Sequence, residues 1–231
     1  MTRHPLDRPI WSALTTRQRG FSIGDGLARR FVAEVGPFAA IGDDDALHLD
    51  ALSALIDAHG PVVLLQRGEI PRPPGTRTTL DAPGVQLVLD RLAPVAASVD
   101  LVPLGAADAP EMLALATLTE PGPFGPRTHE LGGFLGVKLD GRLVAMAGER
   151  MKPEGFTEVS GVCTHPDHRG HGYAAMLSTA VAERVLARGE TPFLHAYASN
   201  TAAIGLYERL GFRLRTDVGV VRLVPGGDAR A

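Results

Sequence analysis

The sequence predicts an α/β protein of the α+β kind, and three observations carry that expectation. Glu158, Ser160 and Val162 alternate with Val159, Gly161 and Cys163 at strand period, and directly after them Ala174, Leu177, Val181 and Val185 recur at helical period. Asp140-Gly141 stands between apolar runs at 134–139 and 142–150 as the two-residue signal of a tight antiparallel hairpin. A second handover follows, from a strand at 193–197 to a helix that opens on the capping cluster Ser199-Asn200-Thr201.

Taken in order, the chain first gives a helix over 46–59, where Leu49, Leu52 and Ile56 repeat at helical spacing, capped by Asp43-Asp44-Asp45 and stopped by Gly60 and Pro61. Residues 62–66 and 85–89 are continuous apolar runs and read as buried strands. Between them 67–83 holds Pro71, Pro73, Pro74 and Gly75, which reads as a loop or exposed crossover. Trp11, Phe21, Phe31 and Phe38 are expected as core anchors, because a chain with 5% aromatic residues needs its large rings for packing.

A second unit starts near Val99. Leu101, Val102 and Leu104 form a short strand, and Asp108 caps a helix running to about 118, with Glu111 bonding back to it. Residues 119–133, interrupted by Pro121, Gly122, Pro123, Gly125 and Pro126, form a long structured loop. It is either a rigid connector or a carrier of substrate contacts through Phe124, Arg127, Thr128, His129 and Glu130. The hairpin follows, and the strand at 158–163 extends it to a meander. A helix over 172–188, the strand at 193–197, a helix over 201–210 ending at Gly211, and strands at 212–214 and 218–223 complete the order. The domain reading is an N-terminal accessory unit at 1–93, a larger unit at 94–224 and a flexible tail at 225–231.

At 231 residues, 45% hydrophobic and 21% charged, the chain has the composition of a globular protein with a sizeable core. A net charge of −3 with scattered basic residues argues against a nucleic-acid partner. The lone cysteine, Cys163, excludes an intrachain disulfide. No stretch approaches the ~20 apolar residues of a membrane span, and the start has no apolar core for a signal peptide, so the cytoplasm is the default expectation. Cations are almost all arginine, Lys138 and Lys152 being the only lysines, which looks like a GC-rich bacterial coding bias.

The chemistry centres on 162–174. A strand there ends in a glycine-bearing turn that opens a helix, and the unpaired first N–H groups of a helix, with its dipole, favour an anion. The spacing is neither the dinucleotide fingerprint nor the Walker loop. Arg169-Gly170-His171-Gly172-Tyr173-Ala174, an Arg-x-x-Gly-x-Ala segment preceded by Val-x-x-His-Pro, instead resembles the acetyl-CoA-binding segment of the GNAT N-acyltransferase superfamily. Residues 200–212 resemble that family's second mark, Asn-x-x-Ala-x-x-x-Tyr-x-x-x-Gly-Phe, and the element order over roughly 99–224 is that of its fold. The resemblance implies a mixed central sheet with flanking helices, and leaves 1–93 as a degenerate GNAT-like half or another accessory domain.

It also implies acetyl-CoA as co-substrate and direct attack by an amine on the thioester. The backbone of Val162, Cys163 and Thr164 would bond the pantetheine arm, Arg169, Gly170, His171, Gly172, Tyr173 and Ala174 would hold the pyrophosphate, and Asn200, Ala203 and Tyr207 would line the arm on one helix face. Tyr207 is the expected proton donor to the thiolate, against a plain packing role. Glu149 and Glu158 lie near facing ends of adjacent strands; if they share a side, one is expected to have a raised pKa suited to a general base acting through water. Phe124, Arg127 and Thr128 are the expected substrate contacts. His165, His168 and His171 recur every three residues, but with no second cluster no metal is expected. Cys163 is expected as a strand residue rather than a nucleophile, and His195 as a satisfied interior or surface histidine. The acceptor is a small-molecule or peptide amine, with no membrane partner and homodimerisation left open. A non-catalytic acyl-CoA-binding module, or a phosphate-binding domain for another nucleotide, are the competing readings.

Overall fold

The computed structural model describes residues 4–95 and 99–227. The N-terminal third holds α1 (Pro9–Thr15), β1 (Ser22–Gly24), β2 (Ala28–Phe31), β3 (Ala39–Ile41), α2 (Ala46–His59), β4 (Val62–Gln66) and β5 (Thr76–Leu89). Then come β6 (Val102–Leu104), α3 (Ala109–Thr119), β7 (Phe134–Leu139), β8 (Arg142–Glu149), β9 (Phe156–Thr164), α4 (Tyr173–Ala187), β10 (Thr191–Tyr197), α5 (Thr201–Arg209) and β11 (Phe212–Pro225). Strands β1–β2–β3 form a small antiparallel sheet, and the other eight form one mixed sheet in the order β4-β11-β5-β10-β9-β8-β7-β6. This is the mixed sheet with flanking helices that the family resemblance implies.

Local chemistry sets most elements. Asp45 caps α2 by accepting from the His48 N–H at 3.0 Å, and Leu52 and Ile56 on its inner face are fully buried. Asp140 and Gly141 both have positive φ, 49° and 79°, which gives the β7–β8 turn the twist that two-residue hairpins require. On α4 the expected stripe is the buried one: Leu177, Val181 and Val185 have no exposure and pack onto the sheet with Leu135, Ala147 and Leu194. Phe31 and Phe38 are buried, while Trp11 and Phe21 pack at the rim of the same cluster. No helix among the described residues is long and apolar enough to cross a membrane.

Several expectations change. Residues 76–83, read as loop, belong to β5, which pairs with β11 from Thr76↔Pro225 to Leu89↔Phe212. Only its end, 84–88, also pairs with β10, so 76–83 has a partner on its β11 side alone and its polar residues carry no alternation. Pro83 is tolerated because no β10 residue pairs with it across the other edge. The two short strands expected at 212–223 are one strand, kinked by a bulge between Leu214 and Thr216. Asp108 does not cap α3; it accepts from the Gly105 N–H of the preceding short turn at 2.9 Å and ion-pairs with Lys138 at 2.6 Å.

The boundary expected at residue 93 falls inside the main sheet. β4 and β5 precede it, yet β5 lies between β10 and β11, and β4 covers the outer edge of β11. The N-terminal third thus supplies two of the eight strands. The last residues of the expected tail, 228–231, lie outside the described residues.

Candidate active site

All neighbours in the large sheet are antiparallel except β9 and β10, which α4 joins by a crossover. This parallel contact is short: Thr191↔Phe156, Pro192↔Thr157 and Phe193↔Glu158 pair, and no later residue does. Beyond Glu158 strand β9 pairs only with β8, and beyond Phe193 strand β10 pairs only with β5. The sheet splits there, and a cleft of ≈ 190 Å³ opens between the two strands.

A bulge shapes one wall. Gly148 pairs with Ser160 and Met146 with Cys163, so Gly161 and Val162 together stand opposite Ala147 alone. Gly161 has φ 62°, and a Cβ there would lie 3.1 Å from the Phe134 ring, so backbone conformation and packing both select glycine. The bulge takes Val162 out of the β8 ladder on the strand's open side, and Val162 lines the cleft. The facing wall is Ala196 and Tyr197 of β10 with Asn200, Ala203 and Tyr207 of α5.

Beyond Val162, β9 ends at Thr164 and the chain turns into α4. A short 3-10 turn at Pro166–His168 leads to Gly170 and Gly172, with φ of 84° and 77°, and Gly172 caps the helix with no side-chain acceptor. Met176 N–H donates to the Gly172 carbonyl at 3.1 Å, and Gly172, lacking a side chain, offers the first turn no side-chain cap. Arg169, Gly170, His171 and Gly172 are exposed, whereas Tyr173 is buried and stacks on His171 at 5.5 Å. Among the described residues no group of His, Cys, Asp and Glu side chains is arranged to hold a metal ion.

On α5 the spacing brings Asn200, Ala203 and Tyr207 to one face. Asn200 is the helix cap, its Oδ1 accepting from the Ala203 N–H at 3.2 Å, while its amide nitrogen can donate to a ligand. Tyr207 is 9% exposed and meets Phe212 edge-on at 6.1 Å. Burial, with Cys163 and Glu158 adding to it, pushes its hydroxyl pKa up to about 12. Burial likewise pushes the Cys163 thiol to about 11. Its side chain packs in the core with Met112, Phe134 and Met146, so only its backbone is placed to meet a ligand.

The two carboxylates do not form the expected pair. Glu149 pairs with Val159, which puts Glu158, one residue away, on the opposite face of the sheet. Glu149 is buried between Lys152 at 2.8 Å and Arg188 at 2.9 Å, outside the cleft lining. Glu158 is fully buried at the floor where the strands part, and its pKa is not raised. Burial alone would raise it, but Arg150 grips both oxygens at 2.8 Å and His195 Nδ1 lies 2.7 Å away, so the carboxyl is held well below the usual range.

That floor continues as a polar chain that the sequence does not announce. His195 lines the cleft, and its Nε2 is 3.0 Å from the Gln86 amide nitrogen, which also donates to the Leu6 carbonyl at 2.9 Å. The Gln86 oxygen accepts from Arg215 at 2.8 Å, and Arg215 pairs with Asp7 at 2.6 Å. With Gln86 so oriented, His195 accepts at Nε2 and donates from Nδ1 to Glu158. His195 and Gln86 are direct cross-strand partners, and Arg215 is the extra residue of the β11 bulge opposite Gln86, which brings its guanidinium to that amide. His195 is thus the satisfied interior histidine expected, yet also part of the cleft wall.

The 119–133 loop is both connector and wall. Thr128 is 2% exposed; its hydroxyl donates to Val35 at 2.6 Å and accepts from the Gly125 N–H at 2.7 Å, pinning the loop to the N-terminal third. Arg127 is exposed and paired with Glu130 at 2.7 Å, and Phe124 packs edge-on against Phe134 at 5.7 Å. None of the three lines the cleft. The loop's first residues, 120–123, do, together with Arg150, Phe38, Val63, Leu65 and Val220. A larger, shallower depression of ≈ 540 Å³ around Arg8, Trp11 and Glu154 contains no residue of either sequence motif.

A family model described as FR47-like protein matches residues 134–220, which span the hairpin, α4, both cleft strands and α5. A GNAT-family protein from Novosphingobium aromaticivorans DSM 12444 is 44% identical, with 96% of this chain and 99% of that one covered and a TM-score of 0.88. A GCN5-related N-acetyltransferase from Kribbella flavida, 19% identical over 96% of this chain and 97% of its own, superposes with a TM-score of 0.62. An acetyltransferase from the GNAT family of Colwellia psychrerythraea, 14% identical over 92% and 96%, gives 0.52. The last two speak to the fold alone. No curated protein sequence matches the chain. With the fold, the split between β9 and β10 and the full-length relative in agreement, the chain belongs to the GNAT family of acyltransferases.

Proposed function

We propose that the protein transfers an acetyl group from acetyl-CoA to a primary amine by direct attack. One observation carries the reading: the bulged, open edge of β9 and the hydroxyl-bearing face of α5 confront each other across the cleft, and β9 leads through a glycine-bearing turn into a helix whose cap residue has no side chain. An extended arm fits between two strands that have parted, because the β9 edge offers main-chain groups as a further strand would use them. The backbone of Val162, Cys163 and Thr164 is assigned to that arm, with the Asn200 amide nitrogen and the small Ala203 opposite. Arg169, Gly170, His171, Gly172, Tyr173 and Ala174 are assigned to the pyrophosphate, Arg169 giving charge and the glycines access; for Tyr173, whose ring is buried, the contact is from its backbone.

In the proposed reaction the ammonium first loses a proton to water. The nitrogen lone pair then attacks the thioester carbonyl, the C–N bond forms as C–S breaks, and the proton shed by the nitrogen balances the one gained by sulfur. Tyr207 is assigned to that last exchange. Its pKa of about 12 lies above the ~8.5 of a thiol, so acidity alone does not drive its proton to sulfur; it gives one as the cationic nitrogen returns one. Glu158, held ionised by Arg150 and His195, is a poor proton acceptor and is assigned to holding those two side chains in place. Glu149, Phe124, Arg127 and Thr128 lie off the cleft and receive no part in the chemistry.

Release of free thiol from acetyl-CoA across a panel of primary amines tests the reading. Amine-dependent release by the wild type and its loss in Tyr207→Phe are expected. Binding of acetyl-CoA without release for any amine would favour the non-catalytic module.

A further inference from the structure

The cleft floor holds a guanidinium with capacity to spare. Arg150 uses Nε and Nη2 on Glu158, each at 2.8 Å, and lies over the Phe38 ring at 4.6 Å, so its plane is fixed from two directions. The remaining nitrogen, Nη1, takes no part in the Glu158 pair and lies 3.9 Å from where a Cβ on Gly122 would stand, both residues lining the cleft. Glu120 is an exposed carboxylate of the same cleft, with no ion pair among the described residues. It ends α3 in the left-handed region at φ 48°, a conformation uncommon outside glycine, and two prolines follow within three residues. The cleft therefore carries one anchored donor and one carboxylate beside the apolar Phe38, Val63, Leu65 and Val220, within ≈ 190 Å³.

We propose that the acceptor is a single α-amino acid unit with an apolar side chain, its ammonium received by Glu120 and its carbonyl-side oxygen by Arg150 Nη1. This rests on the acetyl-transfer reading above and supplies its acceptor class. A plain alkylamine satisfies Glu120 but leaves Nη1 facing apolar surface, and a buried donor left unmet on binding costs affinity. The apolar walls, Val63, Leu65 and Val220, suit an aliphatic side chain. The transfer is the balanced exchange given above, and its products are the N-acetyl amino acid unit and coenzyme A.

The test measures kcat/KM for leucine, leucinamide and isopentylamine in the wild type, Arg150→Lys and Glu120→Gln. Lysine keeps a cation on Glu158 while removing Nη1, and a thermal melt of each variant checks folding. Because amine basicity is the same for every variant, the ratio between acceptors isolates the carbonyl contact. The expected result is that Arg150→Lys shrinks the preference for leucine or leucinamide over isopentylamine by about 10-fold or more, through KM, as loss of a charge-assisted hydrogen bond should. Glu120→Gln is expected to raise KM for all three. A preference unchanged in Arg150→Lys, or isopentylamine as the best substrate of the wild type, would overturn the proposal. If acetyl-CoA raises the melting temperature but none of the three amines reacts, the acceptor assignment fails while the donor reading stands; if it raises no melting temperature and no amine releases thiol, the acetyl-transfer reading itself fails.

Discussion

Arg150 and Glu158 meet in a two-pronged ion pair, both contacts 2.8 Å, with the carboxylate wholly inside the protein at the point where β9 and β10 separate. A buried carboxylate is tolerated only while its partners stay. Glu158→Gln is expected to destabilise the fold by about 3–5 kcal/mol, since it leaves the Arg150 charge uncompensated. Urea denaturation at neutral pH measures it.

The same pair sets an acid sensitivity. The folded-state pKa of Glu158 is lowered, so its stabilising contribution is complete above the ordinary value near 4.5 and is lost as pH falls through the lower folded value. Stability followed from pH 6 downward is expected to fall less steeply in Glu158→Gln than in the wild type. Equal slopes would show that the carboxylate is not held ionised.

Tyr207→Phe removes one oxygen and leaves the packing on Phe212 in place. A fall in kcat of about 100-fold or more is expected, with KM for acetyl-CoA little changed. With the hydroxyl pKa near 12, the wild-type rate is expected to show no alkaline decline from Tyr207 below about pH 11.

Thr128 distinguishes connector from substrate contact. Thr128→Val strips the donor from Val35 and the acceptor from Gly125, and a loss of about 1–3 kcal/mol in stability is expected with kcat/KM nearly unchanged. A specific rise in acceptor KM would return Thr128 to the site.

Gly161→Ala tests the bulge. The added Cβ meets Phe134 at 3.1 Å in a left-handed conformation, and a loss of about 1–2 kcal/mol in stability is expected from the backbone alone. Thermal melts give this, and activity is expected to fall further than stability because Val162 moves with the bulge.

The sequence reads well where the chemistry is local. Asp45 and Gly60 bound α2 at the expected residues, Asp140-Gly141 turns the hairpin, and the stripe from Leu177 to Val185 faces the core. It fails where the pairing is long-range. Polar 76–83 becomes strand only because 219–225 lies beside it, and nothing within the segment signals that partner. The expected proximity of Glu149 and Glu158 turned on register, which the β8–β9 pairing settles the other way. His195 and Gln86 are far apart in the chain, and their contact, like Arg215's, arises from one cross-strand pair and one bulge. Arg150 was legible only as a strand terminus; its proximity to Glu158, eight residues on, was the available signal.

Direct attack is tested most simply by initial rates of thiol release with acetyl-CoA and a reactive primary amine both varied. The expected result is release that requires the amine and intersecting double-reciprocal lines, because both substrates occupy the cleft together. Parallel lines, or stoichiometric thiol release before the amine is added, would contradict it by showing an acetylated enzyme intermediate.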